Sequence, residues 1–84
     1  MGRPEDTLLT VLRGTSDQNV SFTELCNLLT WLGFASRTRG SHHIFHRDRV
    51  VEILNLQPVG AKAKGYQVKQ VRNVVLRYKL GGPQ

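Results

Sequence analysis

Three features of this chain of 84 residues predict an α+β fold. Two leucine-patterned helical segments come first, alternating strand-like stretches flank a Gly-Ser pair in the middle, and a valine-striped helical segment closes the chain. The resulting order is helix, helix, three antiparallel strands, helix, a sheet packed against helices. A chain of this length is expected to form one domain, 1–84, with a modest core.

Residues 4–13 are predicted to form the first helix. Pro4 suits a first helical position, Glu5 and Asp6 suit the positive end of the helix dipole, and Gly14 ends the segment. Leu8, Leu9 and Leu12 form its expected apolar stripe, and Thr15 to Asn19 read as a loop. The second helix opens on a capping box, Ser21-Phe22-Thr23-Glu24, with Val20 and Leu25 at the positions of a hydrophobic staple. Phe22, Leu25, Leu28, Leu29 and Leu32 repeat at helical spacing, Gly33 supplies the stop, and Trp31 and Phe34 are expected to add core contacts.

Strands are expected at 34–39, 42–47 and 50–56. Gly40-Ser41 has the Gly-X composition of a type II′ hairpin turn. Residues 57–65 read as a Pro/Gly/Lys loop, and the last helix as about 66–80 with Val68, Val71, Val75 and Tyr78 on one stripe. Gly81 to Gln84 read as a frayed tail.

Charge narrows the function classes. There are 12 Lys and Arg against 6 Asp and Glu, a net charge of +6, and no acid follows Glu52. Ten of the 12 basic residues fall in two clusters: Arg37, Arg39, Arg47 and Arg49, then Lys62, Lys64, Lys69, Arg72, Arg77 and Lys79. A one-sided basic surface is what binding a polyanion requires. No run is long and apolar enough for a signal peptide or membrane span. The single cysteine, Cys26, sits in an apolar helical pattern with no partner for a disulfide, which fits a cytoplasmic protein and a buried structural thiol.

The segment from Arg37 to Arg47 holds three histidines and three arginines around the tight turn. Histidine titrates near neutral pH, so it can accept and donate a proton there. RNA can be cut without a metal when a base removes the 2′-hydroxyl proton, an acid protonates the 5′-leaving oxygen and cations hold the phosphate. His42 and His43 are both candidates for the proton-transfer role. Strand alternation puts His42, Ile44 and His46 on one face and His43 and Phe45 on the other, and parity alone does not choose between them. Arg37, Arg39, Ser41 and Arg47 lie close enough in sequence to line one phosphate site, with Lys62 and Lys64 reaching it from the loop. Lys69 and Arg72, at i and i+3, extend the patch along the last helix. The same residues also fit RNA binding without catalysis, or a basic face that meets only an acidic protein. Adjacent strand histidines face opposite ways and His42 and His46 are far apart, so no chelate geometry emerges and neither a metal nor another cofactor is expected.

Leu32-Gly33-Phe34, Arg37 and Gly40-Ser41-His42-His43-Ile44-Phe45 together resemble the signature of HicA-type toxins, the mRNA interferases of bacterial toxin–antitoxin pairs. The later segments Ile53 to Pro58 and Lys62 to Arg72 resemble one branch of that family. The resemblance covers roughly residues 20–80. It implies a fold like that of double-stranded-RNA-binding domains, with a three-stranded antiparallel sheet packed against helices and residues 4–13 as an added N-terminal helix. It also implies a ribonuclease that cleaves mRNA through one histidine without a metal and is neutralised by an acidic HicB-type antitoxin. Matching the Gly-Ser-His motif assigns the catalytic role to His42, with His43 as the alternative because some members carry their histidine one place later. Many members follow the third strand with a Val-Pro-x-His-like segment. Here Leu56-Gln57-Pro58-Val59-Gly60 holds no histidine, so that residue's role does not carry over.

Overall fold

The computed structural model describes residues 3–81. Helix α1 spans Pro4–Arg13 and ends at Gly14, whose φ of +70° belongs to the left-handed region that glycine adopts without a steric penalty. Its buried face is Thr7, Leu8 and Val11, whereas Leu9 and Leu12 turn outward. The all-leucine stripe was therefore displaced by part of a turn. Thr7 is accommodated on the buried side because its hydroxyl donates to the Arg3 carbonyl at 3.3 Å. A single 3-10 turn, Asp17–Asn19, connects to α2, Phe22–Trp31.

Helix α2 starts as the capping box predicts, with the Glu24 amide donating to Ser21 Oγ at 3.3 Å. Phe22, Leu25, Leu28 and Leu29 face the core, and Leu32 and Phe34 close it at the helix end. Trp31 does not join them: it is 47 % exposed on the outer side of the last turn.

Strands β1 (Ala35–Arg39) and β2 (His42–His46) form the expected two-residue hairpin. Gly40 has a φ of +58°, as the first central position of a II′ turn requires. Strand β3 is only Leu54–Leu56, shorter than the predicted 50–56, and the sheet is antiparallel in the order β1-β2-β3. The shortening has a cause. The Val51 amide donates to the Tyr78 hydroxyl at 3.2 Å, and that hydroxyl donates to Glu52 at 2.7 Å, so this stretch bonds to the last helix instead of the ladder.

The predicted loop 57–65 contains a second small hairpin, β4 (Pro58–Val59) and β5 (Lys62–Ala63). It docks on the start of α2, where the Phe22 amide donates to the Ala61 carbonyl and the Ala63 amide to the Val20 carbonyl. Helix α3 runs Gly65–Tyr78 and ends at Lys79, itself left-handed. Residues 82–84 of the expected tail lie outside the described residues.

All three helices contribute to one core with Phe45, Leu54 and Leu56 from the sheet. The residues of β1 are all exposed, so the helices cover β2 and β3 and leave the first strand open. Among the described residues no helix is long and apolar enough to cross a membrane.

Candidate catalytic site and nucleic-acid interface

Register decides which of the two histidines faces the core. Phe45 is buried and pairs with Ser36 and Leu54, while His43 pairs with Thr38 and Leu56, so these residues share the inner face. His43 is half-buried there and meets the ring of Phe22 edge-on, centroids 4.9 Å apart. His42 belongs to the outer, solvent-facing side with Arg39, Arg37, Ile44 and Asn55.

Arg39 is the direct cross-strand partner of His42, and Arg37 sits one step along the same face opposite Ile44. Direct partners hold their Cβ atoms about 5 Å apart, and diagonal ones about 7–8 Å. Two arginines thus share the outer face with the His42 imidazole at this end of the hairpin.

His42 Nδ1 lies 2.9 Å from Asn55 Oδ1. The amide oxygen carries no hydrogen, so Nδ1 is the donor in this bond and the Nε2 edge of the ring is directed away from Asn55. Sequence reasoning passed over Asn55, although its position between Leu54 and Leu56 put it on the outer face by simple alternation.

Two glutamines, also unanticipated, build the floor beside it. Gln57 donates from Nε2 to Ser41 Oγ at 2.8 Å and accepts at Oε1 from Lys64 Nζ at 3.2 Å, which draws the turn and the start of α3 together. Gln67, 3 % exposed, donates to the Asn55 carbonyl at 3.2 Å and accepts from the Gln57 amide at 3.0 Å. It thereby pairs the outer edge of β3 with a side chain of α3. Its signal was a polar residue one helical turn before Val71, inside the buried stripe. A shallow cleft of about 260 Å³ opens over these residues, lined by His42, Asn55, Gln57, Gln67 and the exposed ring of Tyr66.

Of the predicted site residues, the fold brings His42, Arg37, Arg39, Ser41 and Lys64 to this end of the sheet. Lys62 lies in the adjoining cleft of about 460 Å³ with Lys64 and Tyr66, its ammonium donating to Asn19 Oδ1 at 2.9 Å. Four others lie elsewhere. Arg47 follows the far end of β2 and packs against Gly33, where an added Cβ would stand 3.2 Å from its Nε. Arg72 is committed to Asp17 and to the end of α1, and Lys69 is near enough to help hold the Asp17 carboxyl below its ordinary range, after the larger effect of the Arg72 bond. His43 is turned inward.

Cys26 is half-buried in α2, and burial pushes its thiol up to about 11, away from nucleophilic use. Among the described residues, no group of three or more His, Cys, Asp or Glu side chains is arranged to hold a metal ion. Compared with protein-family models, curated proteins and solved structures, the chain matches none.

Proposed function

We propose that this protein is an endoribonuclease that works without a metal, binding RNA across the outer face of its sheet and using His42 for proton transfer. The observation that carries this reading is the exposed His42 imidazole, bonded to Asn55 through Nδ1 and placed directly across from Arg39. With Nδ1 protonated, Nε2 takes the 2′-hydroxyl proton. The 2′-oxygen then attacks the adjacent phosphorus, the bond to the 5′-oxygen breaks, and that oxygen leaves with a proton supplied by water, the imidazolium returning its own proton to solvent. The products are a 2′,3′-cyclic phosphate and a 5′-hydroxyl. Arg39 and Arg37 stabilise the charge on the non-bridging oxygens, and Lys64 holds the neighbouring phosphate.

The order α2, three antiparallel strands, α3, with α1 added in front, supports the double-stranded-RNA-binding-like core that the HicA resemblance implies. In this reading the protein blocks translation by cutting mRNA, and an acidic HicB-type antitoxin silences it by covering the basic hairpin face.

The test is cleavage of labelled single-stranded RNA in the presence of EDTA by wild type, His42→Ala and His43→Ala. Cleavage lost in His42→Ala and kept in folded His43→Ala is expected. A general acid or base of this kind contributes about 10²–10⁴-fold in rate. Wild type that binds RNA in a salt-sensitive way and never cuts it would instead leave a non-catalytic RNA-binding module.

A further inference from the structure

Resting on the RNA-binding part of that reading, we propose that Tyr66 is a stacking platform for an unpaired base, which makes the preferred RNA single-stranded at the His42 site. Tyr66 stands on the first turn of α3 and is 60 % exposed, while Gln67, Val68 and Val71 beside it are buried. It therefore contributes little to the core.

Its position is the stronger observation. Tyr66 lines both clefts, the one that holds His42 and the one that holds Lys62 and Lys64. The ring thus stands between a proton-transfer group and an ammonium pair. Gln67 Nε2 approaches the Tyr66 hydroxyl at 3.4 Å, and Lys64 is tied to Gln57 at 3.2 Å, so both sides of the platform are held by the same glutamine floor.

Charge and ring together fit a nucleotide in one way. A phosphate drawn toward Lys64 places its attached base over an aromatic face, and stacking of this kind tolerates any base because each has a π-face. In a duplex those faces are already occupied by neighbouring base pairs, and an A-form helix is read through its phosphates and 2′-hydroxyls. An exposed ring at this position thus favours a strand whose base is free.

The experiment measures binding by fluorescence anisotropy with a labelled ten-nucleotide RNA, alone and annealed to its complement, in the non-cleaving His42→Ala background. Tyr66→Phe, Tyr66→Ala and Lys64→Ala are each added to it, with thermal melts to show that each variant is folded. Tyr66→Phe is expected to bind the single strand within about twofold of the parent. Tyr66→Ala is expected to lose about 5- to 150-fold, the usual range for one stacked base, with duplex affinity unchanged. Placing an abasic site at the stacked position should abolish the difference between Tyr66→Phe and Tyr66→Ala. The proposal is overturned if Tyr66→Ala binds the single strand as tightly as Tyr66→Phe while Lys64→Ala weakens it, since phosphate contact would then act without stacking. Failure of wild type to cleave, with this pattern intact, removes the nuclease reading and leaves the platform standing.

Discussion

Arg72 grips Asp17 with both arms of its guanidinium, Nη1 to Oδ1 at 2.9 Å and Nη2 to Oδ2 at 3.1 Å. The same Nη1 donates to the Val11 carbonyl at 3.1 Å, in the last turn of α1. One α3 side chain therefore fastens the 3-10 turn and neutralises the negative end of the first helix. It also lies against Gly14, where an added Cβ would stand 3.2 Å from Nη1. The basic residue that looked like part of an RNA patch is the tie that holds the added helix to the core.

Arg72→Ala is expected to destabilise the fold by about 2 kcal/mol, the range for charge-assisted hydrogen bonds. That corresponds to a melting temperature lower by roughly 8–16 °C for a domain of this size. RNA affinity at the hairpin should change little. The Asp17 carboxyl is held below its ordinary value of 3.8 by the Arg72 bond. A depressed folded value means that the stabilisation is complete at neutral pH and is lost only as pH falls below about 4 and through the folded value. The stability difference between wild type and Asp17→Asn should be flat from pH 7 to 5 and shrink below that, as read from urea denaturation at each pH.

His43 and His42 are neighbours with opposite consequences. His43→Ala removes an edge-on contact with Phe22 on the inner face and is expected to cost about 1 kcal/mol. His42→Ala removes one exposed hydrogen bond and should leave the melting temperature nearly unchanged. Equal melting temperatures for the two variants would contradict the inner placement of His43.

Cys26 should be inert in the native state. With its thiol pushed to about 11 by burial, few thiolates exist at pH 8, and alkylation by iodoacetamide should be slow until urea opens the domain. Rapid native labelling at pH 8 would contradict the half-buried position.

Local signals in the chain carried most of the fold. The Ser21 cap, the Gly40-Ser41 turn and the valine stripe of α3 each act through nearest neighbours, and each stands where the pattern placed it. The errors arose where distant partners decide. Val51 and Glu52 looked like strand residues until the Tyr78 hydroxyl of α3 accepted from the Val51 amide and donated to the Glu52 carboxylate. Arg72 looked free until Asp17 met it across 55 positions. The site divided in the same way. Alternation named His42 and His43 as opposites, but choosing the outward one needed the buried ring of Phe45, and linking His42 to Asn55 needed the register of β3.

Gln67 is expected to be the most sensitive polar residue of the core. Gln67→Leu keeps the volume and leaves the Asn55 carbonyl and Gln57 amide without their side-chain partner, at a cost of about 2 kcal/mol. Gln67→Glu is more informative. An ionised carboxylate accepts from the Gln57 amide but faces the Asn55 carbonyl with nothing to donate, so its folded pKa should rise above the unfolded value. Stability then falls as pH rises between the two values, and the deficit relative to wild type should be larger at pH 7 than at pH 4. A deficit independent of pH would show that the side chain turns out to solvent.

Asn55 is exposed, so its variants test chemistry with little disturbance of the fold. If its oxygen fixes the His42 proton on Nδ1, Asn55→Ala releases the ring to rotate and to hold the other tautomer. A net hydrogen bond of about 1 kcal/mol translates to a rate loss of roughly five- to tenfold at saturating RNA, with binding unchanged. Asn55→Asp keeps the acceptor and adds a negative charge that favours the imidazolium. It should restore cleavage and move the acidic limb of the pH–rate profile to higher pH. Restoration by Asp with that displacement separates an orienting role from a merely structural one, because a loss of packing would be mended by neither the charge nor the change in pH.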